Sequence, residues 1–254
     1  MKTRKEIFDS FAEEYDSFRP KYPLEFISCV AKRVGLCTRS KLLEIGCGSG
    51  QTTRAFGELD FKVLAIDPSE ALISIAKKHF EDSPSVRYDC LSFEDYDSNG
   101  QRYDFVFAAN SFHWIAPEIS WKKTHHLLKP KGFFSALTIK REIGPGLRDE
   151  LDALYDKFSS AFLQMNSLSP VPGPIKANLP FQKNYFSIEG EVSYKFDVEY
   201  DADSYCGLKR TMSDHRMLPH SIQTEFFRDL KGICERHGKF KVANTATAKI
   251  YKKK

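Results

Sequence analysis

The sequence predicts an α/β fold built on a largely parallel sheet, and three observations predict it. Apolar runs of strand length alternate with helical patterns at short spacing over residues 41–139. The first run breaks into glycines at alternate positions, Gly46, Gly48 and Gly50, just before a helix-compatible segment. The later runs are apolar enough to be buried on both faces, as strands covered by helices are. Right-handed crossovers then put the ligand crevice at the carboxyl ends of the strands.

The elements follow in order. Over residues 4–18, Ile7, Phe8, Phe11, Tyr15 and Phe18 recur at helical spacing. Arg19-Pro20 ends that helix, because proline disfavours helix in the residue before it. Pro23 opens a second helix to about Val34, with Gly35 as its stop. Strands are expected at 42–45, 61–66, 86–89, 103–109 and 133–139, with helices at 51–59, 70–80 and 117–128. Beyond Ile139 the rhythm changes. Residues 146–165 read as one helix, 167–180 as a proline-rich excursion, 192–200 as a strand, 202–211 and 222–237 as helices, and 240–251 as a last strand.

Length and composition exclude several classes. The 254 residues, 41% apolar, suit one domain over 1–254, with an N-terminal helical lid over 1–35 and a cap insertion over 140–190. A net charge of +4, with its only basic cluster in a tail read as solvated (Lys252, Lys253, Lys254), argues against a nucleic-acid partner. The six cysteines contain no C-x-x-C pair, so no metal site is expected and a reducing cytoplasm is. The opening residues show no apolar signal core and no 18-residue apolar run exists, so no membrane span is expected. Either a monomer or a homodimer is compatible with the sequence.

The glycine stretch alone is ambiguous. A dinucleotide fingerprint would read G-x-G-x-x-G; here the third glycine comes one place early, and Glu44 precedes the first by two residues. Asp67 ends the second strand, 19 residues after Gly48, where a carboxylate can accept hydrogen bonds from ribose hydroxyls. Phe93-Glu94 follows the third strand, where an aromatic can stack on a base. Asn110, Phe112, His113 and Trp114 follow the fourth.

The Glu-x-Gly-x-Gly-x-Gly form of residues 44–50 resembles motif I of the class I S-adenosylmethionine-dependent methyltransferases. Phe112-His113-Trp114, the opening FDSFAEEYDSFRPKYP and the segment 200–218 resemble the "HW" subgroup that includes trans-aconitate methyltransferase-like and juvenile-hormone-acid-methyltransferase-like proteins. The resemblance covers nearly the whole chain. It implies a Rossmann-like doubly wound, seven-stranded, mostly parallel sheet with the last strand antiparallel. It also implies S-adenosylmethionine as cofactor, S-adenosylhomocysteine as product and a small-molecule acceptor. It assigns Glu44, Gly46, Cys47, Gly48, Gly50, Asp67, Pro68, Phe93, Glu94 and Asn110 to the cofactor. Tyr15, Arg19 and Tyr22 would fold over it, Arg19 pairing with a carboxylate of cofactor or acceptor. Tyr22, Phe112, Trp114 and Arg210 would meet the acceptor.

His113 is the candidate general base, as a histidine titrates near neutrality, although it can equally serve only to orient the acceptor. A carboxylate acceptor, the preferred one, needs no base; an oxygen or nitrogen of another metabolite would. A dinucleotide-dependent oxidoreductase and a non-catalytic binding module remain the readings from other classes.

Overall fold

The computed structural model describes residues 9–79, 84–168 and 179–254. Helices α1 (Ala12–Phe18) and α2 (Leu24–Arg33) precede β1 (Lys41–Ile45). Then come α3 (Gln51–Glu58), β2 (Lys62–Asp67), α4 (Glu70–Lys78), β3 (Val86–Cys90) and β4 (Tyr103–Ala109). A 3-10 turn (Phe112–Trp114) leads to α5 (Pro117–Leu127) and β5 (Leu128–Ile143). Helices α6 (Pro145–Lys157), α7 (Ser159–Leu168) and α8 (Leu179–Tyr185) separate β5 from β6 (Phe186–Tyr200). Finally α9 (Ala202–Arg210), α10 (Ser213–Arg216) and α11 (His220–His237) lead to β7 (Phe240–Lys253).

The seven strands form one sheet in the order β3-β2-β1-β4-β5-β7-β6. Strands β1 to β5 pair in parallel, and β7 runs antiparallel between β5 and β6. The order reverses between β1 and β4, which opens a crevice beyond their carboxyl ends.

Side-chain alternation divides the core between the two faces. On β4, Phe105 and Phe107 pack with Phe56 of α3 and with Phe26, Ile27 and Val30 of α2. Val106 and Ala108 face the other way, toward Phe112, Trp121, Phe134 and Tyr251. A third cluster joins α6, α9 and α11 through Leu151, Leu154, Tyr205, Phe226 and Leu230. Ser69 caps α4, its Oγ accepting from the Leu72 amide at 3.2 Å. Asp201 and Ser204 close a capping box on α9.

Several expectations change. The single helix over 146–165 is two helices, because Phe158 leaves helical geometry (φ −104°, ψ 8°) while its side chain is buried beside Phe226. β5 begins at Leu128 and ends at Ile143, well outside 133–139, because β7 pairs with it as far as Ile143. Residues 140–190, expected as a cap insertion, also hold the end of β5 and the start of β6. The basic tail is not a solvated run: β7 includes Lys252 and Lys253, and Lys253 Nζ donates to the carbonyls of His125 (2.7 Å) and Leu128 (2.8 Å). The expected helix start at 4–8 and most of the proline-rich stretch lie outside the described residues.

Candidate functional site

The turn after β1 is held by its own backbone. The Gly46 and Cys47 amides donate to the Ile66 carbonyl at 2.8 and 3.1 Å. The Gly48 amide donates to Asp67 Oδ2 at 3.0 Å, and the Ser69 amide to Asp67 Oδ1 at 2.9 Å. One carboxylate at the end of β2 therefore fixes both the glycine turn and the start of α4. Burial pushes Asp67 up from the usual carboxylate range, against the pull of these two amides.

Gly46 sits at φ +68°, and a Cβ there would lie 2.5 Å from the Ser111 Cβ. The close neighbour that excludes a side chain is thus Ser111, whose hydroxyl donates to the Ile45 carbonyl. Gly50 lies at the N-cap of α3 in left-handed geometry, φ +87°.

Two adjoining cavities open at the crevice. The first, about 790 Å³, is lined by Gly46 and Gly48 of the turn, by Asp67 and Pro68, and by Phe93 and Glu94 after β3. Asn110 and Trp114 after β4 and Tyr15 of α1 complete the predicted residues in it. The second, about 390 Å³, brings Tyr15, Arg19, Tyr22, Cys47 and Asn110 together. Asn110 belongs to both; it holds a left-handed backbone (φ +53°), and its Nδ2 donates to the Tyr22 hydroxyl at 3.1 Å. Such geometry at a non-glycine residue concentrates at ligand clamps. Burial pushes the Tyr15 and Tyr22 hydroxyls up, so both stay neutral, and it raises the Cys47 thiol likewise.

Helix α1 ties the two halves of the molecule together over these cavities. Asp16 pairs with His79 at the end of α4 (2.9 Å). Glu14 pairs with Arg216 of α10, and Arg19 Nη2 donates to the Thr211 carbonyl at 2.7 Å.

Glu44, Gly50 and His113 line neither cavity. Glu44 is fully buried beneath the turn; its Oε2 accepts from the Thr53 hydroxyl at 2.5 Å, while Oε1 has no partner among the described residues. Burial first, then the Asp67 charge, pushes its carboxyl up to about 8, opposed by the Thr53 bond. The His113 ring lies 5.2 Å from that of Trp114.

Two acceptor-side expectations are corrected. Phe112 points into the core, 1% exposed, its ring centroid 5.0 Å from Trp121 and 4.5 Å from Phe134. The 3-10 turn directs it inward and leaves Trp114 at the cavity. Arg210 is exposed and lies over Phe227 at 4.9 Å, because Tyr205, Cys206 and Leu208 take the buried face of α9. Sequence reasoning missed Ser111, Thr53 and Arg141. Only Arg141 carried a signal, two residues beyond Ile139 at strand spacing.

Residues 43–134 match a family model described as a methyltransferase domain. That match spans a little over a third of the chain. The matched segment runs from β1 to β5 and contains the glycine turn, Asp67, Phe93-Glu94 and Asn110.

CRG1 of Saccharomyces cerevisiae, described as a candidate S-adenosylmethionine-dependent methyltransferase, is 31% identical over 48% of this chain and 43% of its own. A ubiquinone biosynthesis O-methyltransferase of Nitrobacter winogradskyi is 34% identical over 40% and 39%. The chain thus spans less than half the length of these curated relatives. An uncharacterized methyltransferase of Schizosaccharomyces pombe is 28% identical over 88% of both chains.

Among solved structures, a candidate type II methyltransferase from Anaeromyxobacter dehalogenans superposes with a TM-score of 0.66, 22% identity, over 92% of this chain and 97% of that one. The [4+2]-cyclase SpnF superposes at 0.58 with 16% identity, over 96% and 94%. These likenesses establish the Rossmann-like fold, whereas activity has to be argued from the site.

CRG1 is described as S-adenosylmethionine-dependent, and the residues present here fit that cofactor. Asp67 faces the first cavity as a hydroxyl acceptor, and Phe93 offers a buried aromatic face beside it. Among the described residues no group of three or more His, Cys, Asp or Glu could hold a metal ion, and no helix is long and apolar enough to cross a membrane.

Proposed function

We propose that the whole chain is a methyltransferase that acts on a small molecule, with the carboxylate of a small acid as acceptor, and that it falls in the "HW" subgroup. The observation that carries this reading is the pair of adjoining cavities meeting at Gly46 and Asn110, the first suited to the cofactor and the second presenting Arg19. The donor supplies a methyl group on positive sulfur, which a carboxylate oxygen takes without loss of a proton, the bonding pair staying with S-adenosylhomocysteine.

The chain's residues bind and align. Asp67 accepts from the ribose hydroxyls, Phe93 stacks on the base and Glu94 reads its amine. Gly46, Cys47, Gly48 and Pro68 bring backbone close to the donor. Asn110, fixed by Tyr22, orients the methionyl part, and Tyr15 and Arg19 close over both ligands. Holding acceptor and methyl group in line is the main service such a site renders. Trp114 forms the acceptor wall. A phenol or amine acceptor would need His113 as base; that reading has less support, because His113 lines neither cavity.

The six free thiols fit a cytoplasmic setting, and the binding role needs neither nucleic acid nor membrane.

Two measurements test this function. S-adenosylhomocysteine at about a hundred times its Kd stabilises the protein by about 2.7 kcal/mol, with no effect of NAD or NADP. Labelled methyl is then transferred to members of a panel of small carboxylic acids, and not to phenols or amines. Stabilisation by NAD alone, or binding without turnover on any panel member, overturns the proposal.

A further inference from the structure

Phe93 and Glu94 line the first cavity, and both are held by one side chain that lines neither cavity. Lys123 of α5 donates from Nζ to the Glu94 carbonyl at 2.8 Å. The same ammonium lies over the Phe93 ring, 5.3 Å from its centre. That distance is within the range of a cation–π contact. A single cation thus ties together the two residues that the sequence singles out for the base of the donor.

The helix explains how a lysine comes to be there. Ser120, Trp121, Thr124 and Leu127 form the buried face of α5. Lys123 stands three residues after Ser120 and four before Leu127, so it runs along the edge of that face. It is half-buried, while its neighbour Lys122 is exposed. A lysine stem can cover apolar surface while its head reaches a polar partner. Burial pushes the Lys123 ammonium below the ordinary lysine value, against the charges of Glu94, Asp95 and Asp97. With three acids near enough to act on its charge, a surface lysine is expected to point at a carboxylate. This one gives its bond to a backbone carbonyl and its charge to a ring.

The rest of the loop is fixed without it. Ser92 Oγ donates to Asp95 Oδ2 at 2.6 Å and accepts from the Asp95 amide at 3.1 Å. The Tyr96 amide donates to the Ser92 carbonyl at 3.1 Å, and the buried Tyr96 hydroxyl is bonded to that of Tyr103. These bonds close a turn around Phe93 and Glu94, yet none of them uses the Phe93 ring or the Glu94 carbonyl.

We propose that Lys123 is a positioning residue for the base of the donor: it holds the Phe93 ring in the plane that stacks on adenine and holds Glu94 where it meets the adenine amine. This rests on the S-adenosylmethionine reading above. The cation takes one face of the ring and leaves the other to the base. Fixing both groups before the ligand arrives lowers the ordering cost of binding.

The test uses the full chain in calorimetry with two ligands. One is S-adenosylhomocysteine; the other is S-inosylhomocysteine, in which an oxygen replaces the adenine amine. Wild type prefers the adenine ligand. Lys123→Met keeps an unbranched stem and removes the charge. It weakens S-adenosylhomocysteine by about threefold to thirtyfold, the span of one cation–π contact and one hydrogen bond from a charged donor. It weakens S-inosylhomocysteine less, so the preference for adenine shrinks. Lys123→Arg recovers part of the affinity and of the preference, because a guanidinium also stacks on a ring and donates to a carbonyl. Lys122→Met, exposed on the same helix, has no effect.

Retained binding of either ligand also shows that the variants fold. An equal loss of both ligands in Lys123→Met gives the lysine a packing role alone and overturns the proposal. Unchanged S-adenosylhomocysteine affinity in that variant overturns it as well. If wild type binds the two ligands equally, the amine is not read through Glu94; this inference then falls and the methyl-donor reading stands. If S-adenosylhomocysteine does not bind wild type at all, both fall.

Discussion

Replacing Glu44 with Gln removes a buried carboxyl that the folded protein holds protonated at neutral pH. Glu44 is 1% exposed, and burial pushes it up to about 8; in the unfolded chain it titrates near about 4.3. Between these values the folded state keeps a proton that the unfolded state has lost. Rising pH therefore favours unfolding, by about 1.4 kcal/mol per pH unit for one proton. From about pH 5.5 to about pH 7.5 this amounts to about 2.7 kcal/mol. Glutamine keeps an oxygen to accept from Thr53 Oγ1 and has nothing to ionise. Urea unfolding of both proteins, without ligand, at several pH values gives the difference between them, in which other titrating groups cancel. Glu44→Gln gains on wild type by about 2.7 kcal/mol across that range. A difference independent of pH refutes the reasoning, because it means that the carboxyl is already ionised in the fold.

Two further substitutions separate binding from packing. Asp67→Ala strips the acceptor from the Gly48 and Ser69 amides and takes away the ribose partner, so S-adenosylhomocysteine binding falls below detection in calorimetry; unchanged affinity overturns the ribose assignment. Phe112→Ala empties a core site between Trp121 and Phe134 and lowers unfolding free energy by about 3–5 kcal/mol in chemical denaturation, with the acceptor KM unchanged. A raised KM in a fully folded variant would return Phe112 to the acceptor wall.

The parallel half of the sheet was legible because its strands are short, apolar and regularly interrupted. The glycines and Asp67 were legible because each stands at a fixed distance from a strand end. Other features depend on tertiary context. Phe112 and Trp114 are both large and apolar, and only the 3-10 turn decides which one faces the core. Phe158 continues a helical pattern in sequence, yet its packing on Phe226 accompanies a break between α6 and α7. Arg141 escaped notice because β5 was ended at Ile139; pairing with β7, more than a hundred residues later, extends the strand and turns an apparent loop residue into part of a cavity wall. Arg210 looked like an acceptor contact because it is cationic, but charge alone does not say which side of a helix a residue occupies.

The position of β7 has a consequence for how the chain folds as it is made. β7 is the last strand in sequence and stands between β5 and β6 in space. Until it is synthesised, β6 has no strand partner and the flank of β5 that β7 will occupy stays open. The nascent chain therefore carries unpaired strand edges throughout synthesis of α9, α10 and α11, the kind of surface on which chains stick to one another. Joining sheet segments so far apart in sequence is also slow. Pairing of β7 with both neighbours is the step that closes those edges.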